Sequence, residues 1–98
     1  MLFCMQILGT KYKVKILKEG NDYMKRNNAD GYTDLLAKEI FILDCDAKDK
    51  ILRHEIVHAF LFESGIHFGY LFHNEEMVEW LALQIPKIVE CMEGNNCL

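Results

Sequence analysis

Proline is almost absent from this sequence, with Pro86 alone, and glycine occurs six times in 98 residues. Collagen-like and low-complexity chains are thereby excluded. No run approaches the roughly eighteen apolar residues that a membrane-spanning helix needs, so a membrane protein is not expected. Positive charge is in deficit: eleven Lys and Arg face fifteen Asp and Glu, for a net charge of −4. Nucleic-acid binding rests on neutralising phosphates with a basic face, so nucleic acid is not the expected partner. The four cysteines (Cys4, Cys45, Cys91, Cys97) include no CxxC pair and fall well short of the density of a disulfide scaffold. No basic segment precedes the short apolar run Leu2 to Leu8, and Lys11 interrupts it. No signal peptide is therefore expected, and the reducing cytoplasm is the expected compartment.

What is present points to a folded domain. Hydrophobic residues make up 51% of the chain and charged residues 27%, which excludes intrinsic disorder. Ninety-eight residues suffice for one domain and one core. A core of that size is marginal, and metals, disulfides or oligomerisation often supplement it.

Two halves read differently and predict an α+β fold. Residues 1–45 are mostly strands and loops, 46–65 a helix, and 74–94 a second helix. The first strand expected is Lys11 to Leu17, where Lys11, Lys13 and Lys15 alternate with Tyr12, Val14 and Ile16. That alternation describes the wet face of a strand rather than a basic binding patch. Lys18 to Asp22 and Lys25 to Gly31 carry turn and loop chemistry, with a short helical turn at Tyr23 and Met24 between them. A short strand is expected over Gly31 to Leu35, and the clearest one over Glu39 to Leu43.

The first long helix is expected to take Asp46 as its N-cap, with Asp49 in the first turn, and to end at Ser64 with Gly65 as C′. Ile51, Leu52, Val57, Ala59, Phe60, Leu61 and Phe62 occupy most of its circumference, which predicts a central, largely buried helix. After a loop from Ile66 to His73, Asn74 caps the next helix, with Glu75 and Glu76 in its first turn. Pro86 predicts a kink or break there, because it cannot donate to the Ala82 carbonyl. Trp80 and the phenylalanines Phe60, Phe62, Phe68 and Phe72 are expected to build the core and the rim of a cleft. Cys45 reads as a small core or loop residue.

The residues His54-Glu55-Ile56-Val57-His58 spell HExxH. Histidines four apart on a helix lie within about 40° of each other around the axis, so both rings reach one metal ion. Glu55 then stands beside that ion as a general base for its water. With four His and nine Glu in the chain, chance supplies only about 0.015 such motifs. A catalytic zinc needs a third protein ligand and an open position. The pattern HExxHxxGxxH is excluded, because Leu61 and Ser64 occupy the glycine and histidine positions. Asn74-Glu75-Glu76-Met77-Val78-Glu79 offers three glutamates instead: Glu75, Glu76 or Glu79. Glu75 and Glu79 share a helix face, so if Glu75 binds the metal then Glu79 can reach a ligating histidine and hold its ring.

HExxH on one helix followed by NExxxE at the start of the next resembles the gluzincin-type zinc metallopeptidases. The short length, the upstream strands and the run Glu75-x-x-Val78-Glu79-x-Leu81-Ala82 are similar to small intracellular members, the minigluzincins and the ImmA/IrrE-like peptidases of phages and mobile elements. The resemblance covers about Lys38 to Leu83. It implies a minimal zincin fold, with a small, mostly antiparallel sheet of about three strands packed on the HExxH helix and a following glutamate helix. It implies one Zn2+ ion held by His54, His58 and Glu75, with Glu55 as catalytic base and Glu79 as the acid behind a histidine. The implied reaction is peptide-bond hydrolysis by a zinc-bound water activated by Glu55, on a peptide or protein substrate, in the cytoplasm of a bacterial host. Tyr70, His67 and His73 are candidate stabilisers of the oxyanion, and the strand Lys38 to Leu43 is the candidate for pairing with an extended substrate. The alternative is a catalytically weak or inactive zinc-binding module that docks a regulatory protein. A third reading, a closed structural site, requires a fourth ligand from His67, His73 or Cys45. The oligomeric state is left open.

Overall fold

A computed structural model describes all residues from Met1 to Leu98. Alternation in the first half becomes four strands. Strands β1 (Leu2–Ile7) and β2 (Thr10–Leu17) form a hairpin whose two turn residues, Leu8 and Gly9, have φ of 49° and 84°. Positive φ at both positions gives the turn the twist of the strands it joins. A one-turn helix, α1 (Asp22–Arg26), follows, with the Asn21 side chain accepting from the Met24 N–H. Strands β3 (Gly31–Asp34) and β4 (Glu39–Leu43) complete the sheet, in the order β1-β2-β4-β3.

The sheet is mixed. β1 with β2 and β3 with β4 are antiparallel, whereas β2 and β4 run parallel, with Lys13 opposite Glu39 and Leu17 opposite Leu43. Two expectations are corrected here. There are four strands rather than three, because Leu2–Ile7 reads as an apolar run without clear alternation yet pairs along β2. The strand at Glu39–Leu43 is internal, so its backbone is already paired on both sides and has no free edge for a peptide. The free edges belong to β1 and β3. The lysine row behaves as its alternation predicts: Lys11 and Lys13 are exposed while Tyr12 and Val14 are buried.

Helix α2 (Lys48–Glu63) crosses the sheet, and α3 (Glu75–Gly94) packs on α2. Asp46 is not the N-cap of α2. The helix begins two residues later, Ala47 takes the cap position without a side-chain bond, and Asp44 pairs with Lys48 at 3.4 Å. The C-terminus follows expectation. Gly65 has φ of 100°, its N–H bonds the Phe62 carbonyl, and the Ile66 N–H bonds that of Leu61, a Schellman closure. Asn74 caps α3 through a 2.9 Å bond from the Met77 N–H. Pro86 does not break α3, which runs unbroken to Gly94. The lost bond to Ala82 is one of many, and Pro86 lies on the exposed side.

The main core is the α2-facing side of the sheet, with Ile7, Tyr12, Val14, Ile40 and Ile42 packed around Ala59 of α2. Alanine at that position lets the helix lie close on the strands. A second cluster, Val57, Val78 and Ala82, joins α2 to α3. Phe60, Phe68, Phe72 and Trp80, expected to build the core and the rim of a cleft, are all exposed and leave the core to others, while Phe68 does line a cavity at Glu55. Isoleucines and valines together with Tyr12 and Met24 fill the interior, and only 13 of the 98 residues are buried, which bears out a marginal core. At the end of α2, Glu63 accepts from Tyr12 Oη (2.6 Å), Thr10 Oγ1 (3.0 Å) and Lys38 Nζ (2.6 Å), locking helix to sheet. The lysine and the two hydroxyls hold the Glu63 carboxyl below its usual range, while burial and the carboxylate push Tyr12 up.

Candidate metal centre

The HExxH residues sit in the middle of α2, and the packing of Val57 on Val78 and Ala82 brings the first turn of α3 against them. Glu75 meets both histidines. Its Oε1 lies 2.8 Å from His58 Nε2 and its Oε2 3.0 Å from His54 Nε2. The two Nε2 atoms are 3.2 Å apart. The group His54, His58 and Glu75 could therefore hold one metal ion.

Proton bookkeeping tests that fit. One proton satisfies only one of the three close contacts. Protons on both Nε2 atoms would serve Glu75 but set two N–H groups head to head at 3.2 Å. One cation satisfies all three donor atoms together. A tetrahedral ion with bonds of about 2.0–2.1 Å separates its ligand atoms by about 3.3 Å, close to the spacing found. The rings are also turned for it. His54 directs Nδ1 to Glu79 Oε1 at 3.1 Å, and His58 directs Nδ1 to His73 Nε2 at 2.9 Å.

Glu55 stands beside this group and is buried, its Oε1 accepting a 2.9 Å bond from the Thr33 hydroxyl of β3. Burial pushes its carboxyl from 4.5 up to about 7, against the pull of Thr33 and of His54. Burial holds the His58 ring down at about 4, despite the opposing charge of Glu75. For His54 burial also acts downward, but the Glu79 bond and the charges of Glu55 and Glu75 outweigh it, and the net direction is up. Two neighbouring histidines are thus driven apart by their surroundings. A cavity of about 380 Å³ opens at Glu55, His58 and Glu75, and Tyr23, Tyr32, Thr33 and Phe68 also line it.

Other candidates fall elsewhere. Glu76 is exposed and outside the cluster, whereas Glu79 meets His54 Nδ1 and is not one of the three converging groups. Tyr70 is 67% exposed, and His67 packs on Phe62 at 4.9 Å; neither lines the cavity. His73 is wholly buried with both ring nitrogens engaged, which removes it as an oxyanion donor. No fourth protein ligand joins the cluster from His67, His73 or Cys45, so the closed structural site loses its basis. Sequence reasoning missed Thr33, because a hydroxyl on a short strand carries no local sign of the helix it will face.

No protein-family model matches this chain, and neither the curated proteins nor the solved structures compared with it provide a match.

Proposed function

We propose that this chain is a zinc-dependent peptidase of the gluzincin kind, with His54, His58 and Glu75 holding one Zn2+ ion and Glu55 acting as general base and acid. The observation that carries the reading is the convergence of those three donors beside the buried Glu55 carboxyl. Two imidazoles and one carboxylate form a donor set suited to zinc, with a position left for substrate. When bound, the ion supplies Lewis acidity, which acidifies water and polarises a carbonyl. Glu55 would accept a proton from the attacking water on its carboxylate and return it to the departing amine. Thr33 keeps Oε1 of Glu55 fixed in place between the two transfers. The open edge of β3, which carries Thr33, replaces β4 as the place where an extended peptide adds as a further strand.

Zinc content and cleavage of a protein substrate library test the reading together. Near-stoichiometric zinc, with cleavage lost and zinc kept in Glu55→Gln, is the expected result. A purified protein without metal affinity, or an active Glu55→Gln variant, refutes it.

One observation favours the second reading, a zinc-holding module that docks a regulatory protein. A groove of about 390 Å³ between α2 and α3 is walled by Ile56, Val57, Phe60, Leu81, Ile85 and Pro86, almost wholly apolar, and shares no residue with the metal group. A partner protein that binds and stays intact beside the zinc-loaded protein would favour that reading over turnover.

A further inference from the structure

We propose that His73 is a positioning residue for His58, fixing which of its ring nitrogens carries hydrogen and so which one faces the metal. This role rests on the metal reading above.

The argument starts from an oxygen that cannot donate. His73 Nδ1 lies 2.7 Å from the Ile66 carbonyl, so the hydrogen of that bond sits on Nδ1. With its proton there, the His73 ring presents a bare Nε2, 2.9 Å from His58 Nδ1. His58 must then donate from Nδ1, which leaves the lone pair of its Nε2 directed at His54 and Glu75. A backbone carbonyl thus sets, through two imidazoles, the donor atom of a candidate ligand.

The loop is built to hold that relay still. His73 is wholly buried and packs edge-on against Phe68, with centroids 5.3 Å apart. The loop bonds back on itself, the Gly69 N–H to the His73 carbonyl at 2.7 Å and the His73 N–H to the Tyr70 carbonyl at 2.9 Å. Gly69 takes φ of 84° to make that closure. The eleven residues between the helices, 64–74, therefore do more than connect them. Their carbonyl at Ile66 and their ring at His73 do for His58 what the Glu79 carboxylate does for His54.

The test compares His73→Gln, whose side-chain oxygen can still accept from His58, with His73→Phe, which keeps ring shape but no acceptor. Zinc affinity is read by competition with a chromophoric chelator, and geometry by the visible spectrum of the Co2+ form. Loss of an outer partner of a metal-bound histidine costs about 10–100-fold in metal affinity, and that loss is expected for His73→Phe with a changed Co2+ spectrum. His73→Gln should keep most of the parent's affinity and its spectrum. His73→Phe binding as tightly as the parent, or His73→Gln falling to the level of His73→Phe, overturns the role. Long-range ¹H–¹⁵N imidazole spectra of the metal-free parent at mildly alkaline pH decide the matter if His73→Phe does not fold. They should show His73 protonated on Nδ1 with Nε2 bare, and the reverse pattern overturns the relay. A parent that binds no zinc, but shows this His73 tautomer, refutes the metal reading and removes the role while leaving the hydrogen-bond pattern standing.

Discussion

Replacing Glu55 by glutamine in the metal-free protein should stabilise the fold above neutral pH and leave it unchanged in acid. Glu55 is only 6% exposed, so solvent screening takes little from the cost of its charge. Burial raises its carboxyl from 4.5 to about 7, and a change of that size corresponds to about 3 kcal/mol. The unfolded chain releases this proton near 4.5, whereas the folded chain keeps it until about 7. The advantage of the folded state is therefore complete below 4.5 and is lost as pH rises through 7, where the parent carries a buried carboxylate. Glutamine carries no charge at any pH, and its carbonyl oxygen can take the same bond from Thr33. The stability difference between variant and parent should grow from near zero at about pH 4.5 to about 3 kcal/mol at about pH 8. Urea unfolding in the presence of a chelator, repeated across that range, measures it. A difference that does not change with pH, or a variant less stable than the parent above neutrality, would refute the burial argument. On the proposed function the same variant is expected to lose peptidase activity, an exchange of function for stability at a buried charged group.

Zinc loading should raise the melting temperature and a chelator should reverse the gain, because the ion ties α2 to the first turn of α3. At free zinc about one hundred times its Kd the gain is about 2.7 kcal/mol, and scans showing no zinc effect would count against the centre. Glu75→Gln should weaken zinc binding by at least about tenfold in chelator competition, whereas Glu76→Gln, outside the cluster, should leave it unchanged. Gly31→Ala should cost about 1–3 kcal/mol in urea unfolding, since its new Cβ would meet Ile51 Cγ2 at 2.5 Å and the Phe41 carbonyl oxygen at 3.1 Å.

Much of the layout is legible in the residue order where the controlling contacts are local. The Asn74 cap, the Gly65 stop and the Lys11, Lys13, Lys15 face each depend on neighbours within one turn or one strand. The misread features depend on distant partners. β1 pairs with β2 only once the Leu8-Gly9 turn reverses the chain, and β4 becomes internal only because β3 pairs along its other side. The exposed Phe60, Phe68, Phe72 and Trp80 show the same limit. Large apolar side chains suggest a core, but the room for one is set by how closely Ala59 lets α2 approach the sheet.

The candidate centre divides along that line. His54, Glu55 and His58 could be picked out from residue order, because the pitch of one helix puts i and i+4 together whatever surrounds them. The choice of Glu75 among Glu75, Glu76 and Glu79 comes from the resemblance and not from residue order, since their rotation about α3 is set only when Val57 packs on Val78 and Ala82. Thr33 against Glu55 and His73 against His58 likewise exist only in the folded chain, once β3 and the loop between the helices pack against α2. Helix periodicity is a property of the chain itself, whereas the choice between equivalent side chains belongs to the packing of one element on another.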